Sequence, residues 1–99
     1  MAFARVYWIR IYDSELWHNL SKSARAVLNV LLNRANANYI AFPSLPMLES
    51  DTGYEEKAIH RAIDELKDKK AMEIIQKNGA RNRYKLDMWK PENQNDKTE

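Results

Sequence analysis

The most regular pattern in this sequence lies between residues 54 and 69, where apolar side chains recur every three or four positions. The apolar positions are Ala58, Ile59, Ala62, Ile63 and Leu66. The positions between them are polar or charged, namely Lys57, His60, Arg61, Asp64 and Asp68. A repeat near 3.6 residues is typical of an α-helix that buries one face and exposes the other. We therefore predict an amphipathic helix over residues 54–69.

Two helices are predicted nearer the amino terminus. Asp13 is placed to cap a short helical turn that runs to Leu20, because an aspartate oxygen accepts hydrogen bonds from the free N–H groups at a helix start. Ser21 is the predicted cap of a longer helix that continues to about Asn36. The apolar stripe of this second helix consists of Ala24, Val27, Leu28, Leu31, Leu32 and Ala35.

A further short helix is predicted between Pro43 and Gly53. Pro43 favours extended backbone before Ser44, a second cap candidate, and Pro46 is tolerated in the first helical turn. The apolar residues of this helix are Leu45, Met47 and Leu48. Two helices joined by a tight turn that contains glycine form a helix-turn-helix. We therefore predict that this short helix and the helix over residues 54–69 form such a motif.

Strands are predicted at both ends of the chain. Residues 3–12 are rich in aromatic and β-branched types, which favour a strand. Residues 72–77 and 81–86 flank Asn78-Gly79-Ala80, and Asn-Gly is a strong hairpin signal. The predicted fold class is α+β, a winged helix-turn-helix with an N-terminal strand, three to four helices and a C-terminal two-stranded hairpin wing. Residues 1–90 form this domain, and residues 91–99 are predicted to be a disordered polar tail.

Composition narrows the possible classes of protein. Of the 99 residues, 44% are hydrophobic, which suits a single globular domain, and the absence of cysteine excludes disulfides and cysteine-bound zinc. Two histidines do not make a metal site, and no cofactor is expected. Arg5 and Arg10 interrupt the apolar start, and no run reaches membrane-span length, so a cytoplasmic protein without a membrane contact is expected.

The charge is distributed unevenly, although the net value is only +2. Residues 57–90 contain ten basic and five acidic side chains, whereas residues 49–56 contain four acids and no base. A basic C-terminal half is suited to a surface that faces phosphates.

The outer face of the helix over residues 54–69 offers donors that can read bases in a major groove. The predicted contacts on this helix are Tyr54, Glu55, Lys57, His60 and Arg61. Arg61 is the first candidate, since a guanidinium can hold O6 and N7 of guanine together. The alternative is an ordinary solvated face, because exposed helix positions are commonly charged.

The hairpin carries a second group of candidates: Lys77, Asn78, Arg81, Asn82, Arg83 and Lys85. Tyr84 and Leu86 share the parity of the core, which predicts that Arg81, Arg83 and Lys85 lie together on the opposite face. Such a face suits phosphates or the minor groove. The alternative is an edge that is charged to prevent aggregation.

From Leu20 to Leu86 the chain resembles the winged helix-turn-helix domains of plasmid and phage replication initiators and related small regulators. The residues that carry this resemblance are Leu20-Ser21-Lys22-Ser23-Ala24-Arg25, Phe42-Pro43-Ser44, Thr52-Gly53-Tyr54, and Ala58 to Leu66. The resemblance implies binding of double-stranded DNA through the helix after Gly53 and through the wing, often as a dimer.

This sequence departs from the family pattern at both ends of that helix. Glu55 and Glu56 stand where the family usually has serine and a basic or polar residue, and Lys70 stands where a glycine commonly closes the helix. Acids repel phosphates, but they also suit a helix N-terminus electrostatically. An alternative function is therefore a winged-helix module that binds another protein and not DNA.

Two other questions concern catalysis and assembly. His18 and His60 are far apart and have no nucleophile motif beside them, and the two glycines form no phosphate loop, so neither enzymatic activity nor a small-molecule substrate is expected. The aromatic N-terminal strand is a candidate homodimer surface. Its alternative is a strand that closes the core within one chain.

Overall fold

The computed structural model describes residues 11–78 and 81–89, with the backbone alone for residues 76–78 and for Arg81. The order of its elements is α1 (Glu15–His18), α2 (Lys22–Arg34), β1 (Ile40–Ala41), α3 (Leu45–Thr52), α4 (Glu56–Asp68), β2 (Glu73–Asn78), β3 (Arg81–Lys85) and a 3-10 helix (Asp87–Trp89). Helices and an antiparallel sheet within one small domain confirm the predicted α+β winged helix-turn-helix fold.

Helix caps account for where α2 begins and for where α3 begins and ends. The hydroxyl of Ser21 accepts from the Ala24 N–H at 3.3 Å, and that of Ser44 accepts from the Met47 N–H at 3.3 Å, as predicted. Gly53 ends α3 in the left-handed conformation, with φ of 80°, which glycine adopts without a steric penalty.

The prediction for the cap of α1 was wrong by one residue. The Ser14 hydroxyl, and not Asp13, accepts from the Trp17 N–H at 3.1 Å. Ser14 also donates to the carbonyl of Ile11 at 2.9 Å, so its side chain fixes the backbone on both sides of the cap. The capping residue is the one whose side-chain oxygen reaches the backbone N–H three residues later. Asp13 and Ser14 are both of types that commonly cap helices, so type alone does not decide between them.

The end of α4 explains how the chain passes into the hairpin without a glycine. Lys70 adopts the left-handed conformation, with φ of 61°. Its N–H donates to the Lys67 carbonyl at 3.0 Å, and the Ala71 N–H donates to the Leu66 carbonyl at 2.8 Å. These two bonds form a Schellman motif, so α4 ends in the usual geometry but with lysine at the position that favours glycine.

The sheet has three antiparallel strands in the order β1-β3-β2 within the described residues. Ile40 pairs with Lys85 and Ala41 with Tyr84, so the short strand β1, which the sequence pattern does not predict, extends the hairpin. In β2 the register shifts between Ile74, opposite Tyr84, and Gln76, opposite Arg83. Ile75 is therefore the extra residue of a β-bulge, and its side chain is exposed.

The N-terminal strand predicted over residues 3–12 falls mainly outside the described residues. Its last two positions, Ile11 and Tyr12, are helical. The proposed tail, residues 91–99, also lies outside the described residues.

The core lies between α2, α4 and the inner face of the sheet. Ile59, Ala62, Ile63 and Leu66 of α4 are buried there, and so is the predicted stripe of α2. Lys57, His60, Arg61, Asp64 and Asp68 are exposed, which confirms the predicted division of α4 into two faces. Within the described residues, no helix is long and apolar enough to cross a membrane.

Candidate nucleic-acid interface

The exposed face of α4 presents two unpaired cations in its first half. Lys57 and Arg61 lie four residues apart, so they are neighbours on the helix surface. Both side chains are exposed, and neither makes a hydrogen bond or an ion pair with any residue that the structure describes. Their positive charges are therefore available to an anionic or hydrogen-bonding ligand.

The turn between α3 and α4 fixes the direction in which this face points. The Thr52 hydroxyl donates to the Leu48 carbonyl at 2.7 Å and accepts from the Tyr54 N–H at 3.1 Å. Tyr54 is partly buried and packs against the core. Of the predicted recognition residues, Tyr54 is therefore the one that packs into the fold, where it helps to fix the turn before α4.

The start of α4 is acidic, and its two carboxylates have different surroundings. Glu55 is the N-cap residue, but its side chain makes no capping hydrogen bond to the first turn of α4. Glu56 lies 3.5 Å from Nε2 of His60, and both side chains are largely exposed. His60 therefore lies beside a carboxylate, whereas neither Lys57 nor Arg61 forms an ion pair with a described residue.

The second half of α4 is bound into the fold by polar contacts. The Glu65 carboxylate accepts from the Ser21 backbone N–H at 2.8 Å and from the Ser21 hydroxyl at 2.6 Å. Lys69 donates to the Asn19 carbonyl at 2.5 Å and to Glu65 at 3.3 Å. This cluster fastens the start of α2 to the end of α4.

The electrostatics of the cluster favour the ionised carboxylate. Partial burial raises the pKa of Glu65, but the hydrogen bonds from Ser21 and the ammonium of Lys69 outweigh it. The pKa of Glu65 is therefore lowered from its ordinary value of 4.5.

A groove of about 390 Å³ separates the exposed face of α4 from the inner face of the hairpin. Its floor is apolar, and its polar lining consists of His60, Asp64, Lys67, Asn82 and Tyr84. The Asn82 amide donates to the Tyr84 hydroxyl at 3.2 Å. Burial raises the pKa of Tyr84, against the opposite effect of this hydrogen bond, so the phenol remains neutral.

The opposite face of the hairpin carries Arg83 and Lys85, as the parity of β3 predicts. The Arg83 guanidinium lies 5.1 Å from the centre of the Phe42 ring, and Lys85 lies 3.3 Å from the Asp87 carboxylate. The predicted wing residues are thus divided, because Asn82 lines the groove while Arg83 lies outside it. The side chains of Lys77, Asn78 and Arg81 are outside the described part of the chain.

Phe42 is the residue of this surface that the sequence reasoning missed. It belongs to the Phe-Pro-Ser segment, but nothing in the sequence pattern predicts that β1 pairs with β3. The sequence alone therefore does not show that Phe42 lies beside Arg83.

Among residues 11–78 and 81–89, no group of three or more histidine, aspartate or glutamate side chains is placed to hold a metal ion.

Comparison with known proteins agrees with this geometry. A family model described as a helix-turn-helix domain matches residues 18–70, which extend from the end of α1 to the end of α4. No curated protein and no solved structure matches the chain significantly. The matched region is more than half of the sequence and contains both helices of the motif with their Gly53 turn, which suggests DNA binding. The chain belongs to this helix-turn-helix domain family.

Proposed function

We propose that this protein binds double-stranded DNA in a sequence-specific manner, with the first half of α4 in the major groove. The observation that carries the proposal is the pair of exposed, unpaired cations, Lys57 and Arg61, on a helix whose other face is buried. A major groove admits an α-helix, and its base edges and phosphates are the ligands that such side chains bind.

Within this proposal, the two cations have different roles. Arg61 reads guanine through a bidentate contact, and Lys57 contacts a phosphate. Glu55, which leaves its cap position unused, is able to accept from the N4 amino group of cytosine. Its charge and that of Glu56 also weaken non-specific contacts with phosphates, which favours binding through bases.

The hairpin acts as the wing of this interface. Arg83, with Lys77 and Arg81 of the same hairpin, supplies positive charge to the DNA backbone or the minor groove. Asn82 and His60 line the groove between α4 and the hairpin, and both are hydrogen-bonding groups for a neighbouring DNA strand. Lys85 contributes less, because Asp87 partly neutralises it.

The biological setting belongs to the same proposal. We place the protein among small plasmid- or phage-type regulators that act in replication, partition, transfer or transcription. Residues 1–90 form the binding domain, and a homodimer through the N-terminal segment presents two copies of α4 to half-sites about one helical turn apart.

A salt titration tests the proposal directly. Fluorescence anisotropy of a labelled random-sequence duplex is measured between about 50 and 200 mM salt. We expect a linear fall of log K with log salt, and a slope shallower by about 1 for Lys57→Ala. Lys22→Ala is the matched control, because Lys22 is also exposed but lies beside the other end of α4.

A second candidate function is a protein-binding module, which the acidic start of α4 favours. Absence of duplex binding at 50 mM salt, with no effect of Lys57→Ala or Arg61→Ala, would support that candidate and contradict DNA binding. Glu55→Gln separates the two further, since loss of this charge strengthens non-specific DNA binding but weakens a contact with a basic protein partner.

A further inference from the structure

The Phe42 ring and the Arg83 guanidinium form an exposed stacked pair at the base of the hairpin. The Arg83 Cζ atom is 5.1 Å from the ring centre, within the range of a cation–π interaction. The ring is 41% exposed, which is unusual for a phenylalanine in a domain that buries most of its large apolar side chains.

The backbone on each side of Phe42 is held in place. Ile40 pairs with Lys85 and Ala41 with Tyr84, so the antiparallel register brings Phe42 opposite Arg83. Ala41 and Pro43 are both buried, and a residue before proline is confined to extended conformations. The ring therefore projects outward from a rigid segment, on the face of the sheet that carries Arg83.

Arg83 has no ionic partner among the residues that the structure describes. Its one described side-chain contact is with Phe42, whereas Arg34 and Lys85 each contact a carboxylate. Stacking on a ring restricts the guanidinium but leaves its N–H donors free. Such an arrangement lowers the conformational entropy that a long side chain loses when it binds a ligand.

We infer that Phe42 is a positioning residue, which holds the Arg83 guanidinium ready to contact the phosphates of duplex DNA. This inference rests on the proposed function and adds to it a residue that does not belong to α4 or to the hairpin. The ring acts through Arg83 and does not itself touch the DNA.

A double-mutant cycle in duplex affinity tests the inference. Phe42→Leu is expected to weaken binding 2- to 5-fold, because the unstacked Arg83 side chain then loses more conformational entropy on binding, a cost of about 0.5–1 kcal/mol. Phe42→Trp is expected to bind like the wild type, since tryptophan forms the strongest cation–π interactions. In an Arg83→Ala background, Phe42→Leu has no further effect, so the two changes are coupled.

Two controls exclude simpler explanations. Thermal unfolding of each variant checks that it is folded, and Tyr12→Leu removes another exposed ring, which lies against Trp17 of α1. Tyr12→Leu is expected to bind duplex DNA like the wild type.

Three results would overturn the inference. A Phe42→Leu effect that persists in the Arg83→Ala background means that the ring contacts DNA itself. Unchanged affinity of Phe42→Leu means that the stack does not matter for binding. In both cases wild-type binding remains and the proposed function stands, whereas a wild type that binds no duplex contradicts the proposed function as well.

Discussion

The two halves of α4 differ in how their charged side chains are used. In the first half, Lys57 and Arg61 are exposed and have no partner within the described residues. In the second half, Glu65 and Lys69 are joined to Ser21 and Asn19 by hydrogen bonds between 2.5 and 2.8 Å. Two cations of the first half are thus free for a ligand, while Glu65 in the second half and Lys69 just beyond the helix hold the fold.

A charged helix face is therefore not a single functional surface. Exposed single cations contribute little to stability, so Lys57 and Arg61 can be retained for binding. The Glu65 cluster fastens the end of α4 to the start of α2 and so contributes to stability. Separate substitutions in α4 can therefore test DNA binding and the attachment of this helix to the fold.

The largest stability effect is expected from the anchored half. Glu65→Gln removes the charge that accepts both hydrogen bonds from Ser21, so the free energy of unfolding falls by about 1–2 kcal/mol. Urea denaturation measures this loss. Asp64→Asn is the matched control, because it removes the same charge from an exposed neighbour without a described partner, and we expect a change within about 0.5 kcal/mol. Equal effects of the two variants would contradict the anchoring role.

The same cluster predicts how stability changes in acid. Because the pKa of Glu65 is lowered in the folded chain, its ionised form stabilises the fold above the ordinary value of 4.5, and this stability is lost as the pH falls through the folded pKa. The stability difference between wild type and Glu65→Gln is therefore full at pH 7 and shrinks below about pH 4.5. A difference that stays constant from pH 7 to pH 3 would contradict this account.

A gain in stability is expected where α4 ends. Lys70→Gly relieves a left-handed conformation that costs a non-glycine residue roughly 1–2 kcal/mol, so unfolding requires about 1 kcal/mol more free energy. Lys67→Gly is the matched control, because its position is helical and glycine there destabilises by about 0.5–1 kcal/mol. Thermal and urea unfolding of both variants should show changes of opposite sign.

The smallest effect is expected at the start of α4. Glu55→Asp keeps the charge and shortens the side chain, so that its carboxylate reaches the first-turn N–H groups and adds about 0.5 kcal/mol. Glu56→Asp, already inside the helix, gains no cap and loses a few tenths of a kcal/mol of helix propensity. If Glu55→Asp is less stable than the wild type, the N-cap position of Glu55 is wrong.

The local part of this structure was predictable from the sequence. The two faces of α4 follow from its apolar repeat, and Ser21, Ser44 and Gly53 act within three or four residues of their own positions. These features depend on neighbours along the chain, which a sequence pattern contains. The caps of α1 are the exception, because Asp13 and Ser14 are both suitable types and the pattern does not separate them.

The part that was not predictable depends on contacts between distant residues. Ser21 and Glu65 are 44 positions apart, and the two-residue strand β1 is too short to show an alternating pattern. Phe42 meets Arg83 solely because β1 pairs with β3. The left-handed conformation of Lys70 is a local feature whose position the resemblance marks, because a glycine commonly stands there, although lysine itself does not favour it. That Asn82 lines the groove while Arg83 lies outside it became visible only in the folded sheet.

The most direct test of the two halves of α4 is to measure duplex affinity and thermal stability together for Arg61→Ala and Glu65→Gln. With a duplex selected for tight binding, we expect Arg61→Ala to lose roughly 10- to 100-fold in affinity, corresponding to about 1–3 kcal/mol, with an unchanged unfolding midpoint. Glu65→Gln should unfold at a lower temperature and, at a temperature where it is folded, bind nearly as well as the wild type. Wild-type affinity in Arg61→Ala, or equal losses of affinity in both variants, would contradict the account.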